Sequence, residues 1–127
     1  MKLSTIEYEK KGHIAYVTLN RPDKLNAMNA LLHDELSRAW ADFRDDANLR
    51  VAILSGKGRC FSAGADLKWM QRMADYTEAE NLADAQAMAE MMKTLNGLSK
   101  PTIARVVVPT LVRGDELKTA TGVYGEI

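Results

Sequence analysis

The sequence predicts an α/β fold, an opening β-hairpin followed by parallel β-α units. Three observations predict it. Two period-two apolar runs flank Lys11-Gly12-His13. Two later apolar runs are short and continuous, the kind buried in parallel sheets. Between and after these runs lie segments with helical three-and-four apolar spacing.

The elements follow in order. Ile6 and Tyr8, then Ile14, Tyr16 and Thr18, alternate with polar or small neighbours around a glycine turn, which reads as a β-hairpin. The second strand ends at Leu19-Asn20-Arg21-Pro22, since proline has no N–H to continue a ladder. Asn26 or Asn29 caps a helix running to about Asp46, with Leu32, Leu36, Ala39, Trp40 and Phe43 as its apolar stripe. Arg50-Val51-Ala52-Ile53-Leu54 is a buried strand, punctuated by Gly56 and Gly58. Leu67 to Met73 is a short helix. Thr77 and Glu80 form a capping box at the start of a longer one, which Gly97 ends. Leu82, Ala85, Ala89, Met92 and Leu95 are its expected apolar face. Residues 101–108 form another strand, expected to stop at Pro109. Beyond Leu111 the pattern assigns no element, and Arg113-Gly114-Asp115 reads as a turn.

Composition narrows the function classes. A chain of 127 residues suffices for one domain, and 46% apolar with 27% charged residues is ordinary for a globular protein. Seventeen basic and seventeen acidic residues cancel, leaving no electrostatic footprint for nucleic acid or an anionic membrane. No apolar run is long enough to span a bilayer, and the first residues lack the apolar segment of a secretory leader. The single cysteine, Cys60, suits a reducing compartment, so a cytoplasmic location is expected. Cys60 has no neighbouring histidine to activate it as a nucleophile. His13 and His33 have no partners at ligand spacing, so no metal site is expected.

Three segments carry chemistry. Leu19-Asn20-Arg21-Pro22-Asp23-Lys24-Leu25-Asn26-Ala27-Met28 follows the second strand. Gly58-Arg59-Cys60-Phe61-Ser62-Ala63-Gly64-Ala65-Asp66-Leu67 follows the third, where ligands gather in open α/β sheets. Lys100-Pro101-Thr102-Ile103-Ala104 opens the fourth strand. Together, in this order and at this spacing, they resemble the N-terminal half of the crotonase (enoyl-CoA hydratase/isomerase) superfamily over about residues 5–106. Ala65-Asp66-Leu67-Lys68-Trp69-Met70 with Asn81-Leu82-Ala83-Asp84-Ala85 is most similar to the methylglutaconyl-CoA hydratases within it.

The resemblance implies a partial crotonase-like fold over residues 1–106 and a divergent tail over 107–127. It implies hydration of a 2-enoyl-CoA, with 3-methylglutaconyl-CoA as the narrower candidate and coenzyme A as part of the substrate rather than a cofactor. It places one of two oxyanion N–H donors on Ala65. Small residues make physical sense there: a backbone donor reaches a ligand oxygen only where no side chain blocks it, and Gly64 admits unusual dihedrals. The positive N-terminal end of the Leu67–Met73 helix would favour the same oxyanion. Ala63, Asp66, Leu67 and Lys68 would lie along CoA, opposite Lys24 and Leu25. Lys24 either meets a CoA phosphate or is simply solvated. Trp69 and Met70 either line the acyl pocket or, with Met73, Met88, Met91 and Met92, fill space between helices.

The sequence also departs from the family. A glycine-rich turn carrying the second oxyanion donor should follow the fourth strand, but Val107-Val108-Pro109-Thr110-Leu111 stands there. Valine resists positive φ and proline has no N–H. Losing one such donor typically costs about 10²–10³ in rate. The family's catalytic glutamates lie beyond that turn, and no motif places Glu90, Glu116 or Glu126 at the site. Nor are the C-terminal helices present through which family members form trimers or hexamers. The expectation is a truncated, frameshifted or spliced product, and the alternative function is a non-catalytic fragment that binds CoA or associates with full-length homologues.

Overall fold

The computed structural model describes residues 1–112 and 116–126, with side chains described through residue 106. The expected turn at Arg113-Gly114-Asp115 lies outside the described residues. Strands β1 (Ile6–Lys11) and β2 (Ile14–Leu19) form the hairpin, with Gly12 at φ +59° in its turn. Helix α1 (Ala30–Asp45) leads to β3 (Val51–Gly56). Helices α2 (Leu67–Met73) and α3 (Glu78–Asn96) precede β4 (Thr102–Val112) and β5 (Glu116–Glu126). One sheet holds all five strands in the order β1-β2-β3-β4-β5. The hairpin and the β4–β5 pair are antiparallel, while β2, β3 and β4 run parallel.

Helix α1 closes one face of this sheet. Its stripe of Leu32, Leu36, Ala39, Trp40 and Phe43 is buried against Ala15, Val17, Leu19, Ala52 and Leu54. Asn29, not Asn26, is its cap: the side chain accepts from Leu32 N–H at 2.9 Å. At its other end Lys100 donates through Nζ to the carbonyls of Phe43 and Asp46, both at 2.7 Å, so the α1 C-terminus meets a cation. Glu35 is buried too, which apolar periodicity does not reveal. Its carboxylate accepts from the backbone N–H groups of Ser4 and Thr5, each at 2.7 Å, and from both hydroxyls. Burial pushes the Glu35 carboxyl up, but these bonds outweigh it and hold the group below its usual range.

Three expectations need correction. In β2 the buried set is Ala15, Val17 and Leu19, while Ile14, Tyr16 and Thr18 are half-buried on the face away from α1. A central strand is apolar on both sides, so period two alone does not say which side takes the helix. In α3 only Met91 and Leu95 are buried; Leu82 and Met92 are 57% and 54% exposed. The helix is 19 residues long, but only its last turns reach the core around α1. The hydroxyl half of its capping box is present, with Thr77 Oγ1 accepting from Glu80 N–H at 3.2 Å. Finally, β4 does not stop at Pro109 but continues to Val112. Past Ala104 its only partner among the described residues is β5, with a register shift between Val106 and Val108. Among the described residues one flank has no strand partner there, and an edge of this kind tolerates proline. The stretch after Leu111, for which the pattern assigned nothing, supplies β5.

What positions the site is the register of β2 on β3. Leu19 pairs with Gly56, so the two strands end side by side. The loops that leave those carboxyl ends, residues 20–29 and 57–66, are thereby neighbours.

Candidate functional site

The first loop is built around Asn26. Pro22–Lys24 makes a single 3₁₀ turn, after which Leu25 and Asn26 both adopt positive φ, +51° and +54°. Such a pair of non-glycine residues is strained and needs compensation from its surroundings. Asn26 supplies it. Its side chain is fully buried, donates to the carbonyls of Lys57 (2.9 Å) and Cys60 (2.8 Å), and accepts from Arg21 N–H (2.8 Å). The Ser62 hydroxyl donates to the Asn26 carbonyl at 3.0 Å. Gly56 makes room for this junction, since a Cβ there would lie 2.7 Å from the Phe61 carbonyl oxygen and 3.0 Å from Asn26 Nδ2.

Against this anchor the second loop runs as a short parallel ladder. Ala63 N–H donates to the Leu25 carbonyl at 2.9 Å. Met28 donates to the Gly64 carbonyl at 2.7 Å and accepts from Asp66 N–H at 2.8 Å, bridging Ala65. Both Met28 bonds go to the residues flanking Ala65. Strand alternation therefore turns the Ala65 N–H to the opposite side, and among the described residues it meets no acceptor. Gly64 permits the approach with φ +95°.

Two cavities meet at Ala65. The larger, about 590 Å³, is lined by Lys24, Leu25, Ala63, Ala65, Asp66, Leu67 and Lys68, with Ala27 and Gln71 added. The structure thus gathers every residue expected along the ligand except Gly64, which does not line the cavity. Ala27 and Gln71 carried no signal of their own in the sequence. The second cavity, about 330 Å³, lies between α2 and α3 and is lined by Trp69, Met73, Asn81, Asp84, Ala85 and Met88 as well as Ala65. Both volumes fall within the range of small-molecule sites. Of the two residues weighed for an acyl pocket, Trp69 lines the second cavity and Met70 is exposed outside it. The methionines divide: Met73 and Met88 line the cavity, Met91 is core, and Met92 is exposed.

Asp66 borders the larger cavity, but its carboxylate already has partners. Oδ1 accepts from Trp69 N–H at 2.9 Å as the α2 cap, and Oδ2 pairs with Arg21 at 3.1 Å. The Trp69 amide foremost, with Arg21 behind it, holds this carboxyl below its usual range against the effect of burial. Arg21 also donates to the Ala27 carbonyl within its own loop, so its pair with Asp66 ties the two loops together. The positive end of α2 thus faces a resident carboxylate rather than a vacant site. Trp69 Nε1 donates to Asp84 at 3.1 Å, and His33 packs edge-on against the indole with centroids 5.3 Å apart. Burial lowers the His33 pKa, partly opposed by the Asp84 charge. Sequence reasoning missed Arg21, Asn26 and Gly56 as site-builders, although all three lie within or beside the segments it singled out.

Comparison with known proteins bears on the family and the fold. A family profile described as enoyl-CoA hydratase/isomerase matches residues 9–121. The chain is 35% identical to the (E)-benzylidenesuccinyl-CoA hydratase of Thauera aromatica over 102 residues, 80% of this chain and 38% of that protein. It is 37% identical to the mevalonyl-coenzyme A hydratase of Beauveria bassiana over 113 residues, 85% of this chain and 40% of the relative. The crystal structure of an enoyl-CoA hydratase from Shewanella pealeana superposes with a TM-score of 0.81 at 34% identity, covering 83% of this chain and 40% of that one. The chain therefore spans about two fifths of the length of these relatives. The partial crotonase-like α/β fold expected from the sequence is the fold observed. A profile matching most of the chain, over a fold shared with solved hydratases, establishes that this chain belongs to the enoyl-CoA hydratase/isomerase family.

Proposed function

We propose that this chain supplies the thioester-binding part of a hydratase acting on a 2-enoyl-CoA. The observation that carries the reading is the Ala65 N–H, turned away from Met28 at the point where the two cavities meet. CoA lies in the larger cavity between Lys24-Leu25 and Leu67-Lys68, and the acyl group enters the smaller one. The thioester oxygen then sits at Ala65, whose N–H stabilises the enolate formed as water adds across the double bond. Coenzyme A belongs to the substrate and no separate cofactor is needed. A buried lone Cys60 suits a reducing, cytoplasmic setting.

A second reading is that this chain binds CoA without turnover, alone or with longer homologues. It is favoured by the course of β4, which continues as a strand through Val107-Val108-Pro109 where the family resemblance calls for a glycine-rich turn. Two measurements separate the readings. Calorimetric titration with acetyl-CoA should show saturable binding, and its absence in a folded sample would sink both. Hydration of crotonyl-CoA, followed as loss of thioester conjugation, should be undetectable for the 127-residue chain on the second reading. Turnover would restore the first in full.

A further inference from the structure

Helix α3 carries an apolar stripe that the chain does not bury. Leu82, Ala85, Ala89 and Met92 follow at intervals of three, four and three residues, the spacing of a helix face made for packing. Yet Leu82 and Met92 are 57% and 54% exposed, and Ala85 and Ala89 are exposed between them. Met91 and Leu95 fix the helix to the core, and of the stripe only Ala85 also borders the smaller cavity. Two features of the stripe say what fits it. Its intervals read the same in both directions. An antiparallel copy of α3, related by a two-fold axis, therefore sets Leu82 against Met92 and Ala85 against Ala89, each contact occurring twice. The alanines stand in the middle, where two crossing helices come closest, and the large side chains stand at the ends. The charges agree with this direction. Glu78 lies four residues before Leu82, at the head of the stripe, and Lys93 flanks its foot beside Met92. Both are exposed, and neither has an ion-pair partner among the described residues. Antiparallel alignment brings Glu78 of each copy to Lys93 of the other, whereas parallel alignment sets like charge against like.

We propose that α3 is the interface of a two-fold dimer of this chain, packed antiparallel against α3 of a second copy along Leu82, Ala85, Ala89 and Met92. A single helix face lies at the low end of interface areas, so the dimer forms and dissociates with concentration. Through this contact assembly stops at two copies, because each stripe is covered by its partner and leaves nothing to recruit a third. The inference is independent of what the two cavities bind.

The test follows the 127-residue chain by sedimentation equilibrium over a range of concentrations, where its mass should pass from 14.1 kDa toward twice that value. Because other apolar surface could also associate, the variants decide. Glu78→Lys or Lys93→Glu alone creates two repulsive pairs in the symmetric contact and should raise the dissociation constant roughly tenfold. The double variant exchanges the two charges and should return it to near the original value. Cross-linking reads the register directly. Oxidised glutathione should join copies carrying Ala85→Cys to copies carrying Ala89→Cys, whereas Ala87→Cys, on the opposite side of α3, should stay unlinked; the native Cys60 is buried. A clean monomer at high concentration would overturn the inference. So would association that both charge reversals leave unchanged in samples folded by circular dichroism, or linkage between positions 85 and 89 no faster than at 87. A monomer that pairs through these residues only when a longer relative is added would assign the stripe to that relative, and overturn the inference equally.

Discussion

Two glycines in the site carry different demands, and substitution separates them. At Gly64 a Cβ would meet nothing within 4 Å, but φ is +95°. At Gly56 the dihedrals are ordinary, and a Cβ would collide with Phe61 and Asn26. Gly64→Ala should therefore cost roughly 1–2 kcal/mol through backbone strain alone and tilt the Ala65 N–H. Its signature is weakened acetyl-CoA binding with a small drop in melting temperature. Gly56→Ala should cost about 1–3 kcal/mol by overpacking and show in chemical denaturation first. Asn26→Ala strands the Lys57 and Cys60 carbonyls and the Arg21 N–H, and should cost about 3 kcal/mol in the same assay. His33 sets a pH dependence. Burial depresses its folded pKa below the ordinary 6.5, so its contribution to stability is complete above 6.5 and is lost as pH falls toward the folded value. The melting temperature should decline as pH falls below about 6.5, and His33→Gln should flatten that decline. An unchanged slope in the variant would remove His33 as its cause.

At the scale of elements, α2 and α3 are held by different means. The seven residues of α2 bury only Trp69, too little to hold a helix by packing. What holds it is Asp66, capping Trp69 N–H and pairing with Arg21 from the other loop. Asp66→Ala should fray α2 and loosen both cavities together, visible as lost thioester affinity with the sheet and α1 intact by hydrogen exchange. Loss of exchange protection throughout the chain would contradict so local a role. In α3 the capping signal at Thr77 and the three-and-four spacing were legible in the sequence and the helix is there. Spacing, however, describes one helix at a time. Which of its turns find a neighbour depends on where α1 and the sheet end.

The molecule as a whole leaves apolar surface uncovered. Leu82, Met88 and Met92 of α3 are between 42% and 57% exposed, and Ile14, Tyr16 and Ile53 line a half-buried sheet face away from α1. Surfaces of this kind drive association. Sedimentation should show species above the monomer mass of 14.1 kDa, reduced by Leu82→Glu with Met92→Glu; a clean monomer before substitution would contradict this. Much of the architecture was nonetheless readable without coordinates. The hairpin, the bounds of α2 and the α1 stripe follow from local chemistry, that is, dihedral freedom at glycine, capping side chains and apolar periodicity, while the loop segments that meet at Ala65 were marked by the family resemblance. Tertiary structure decided the rest. Only the in-register pairing of Leu19 with Gly56 places residues 20–29 beside residues 57–66, so Asn26 is a structural anchor rather than a helix cap. Only packing selects the buried face of β2, and only the crossing of α2 and α3 puts Asp84 against Trp69 in the cavity between them. The physical reason is range. Propensity and periodicity act over a few residues, whereas a site is made by groups distant in sequence whose pairing depends on strand register.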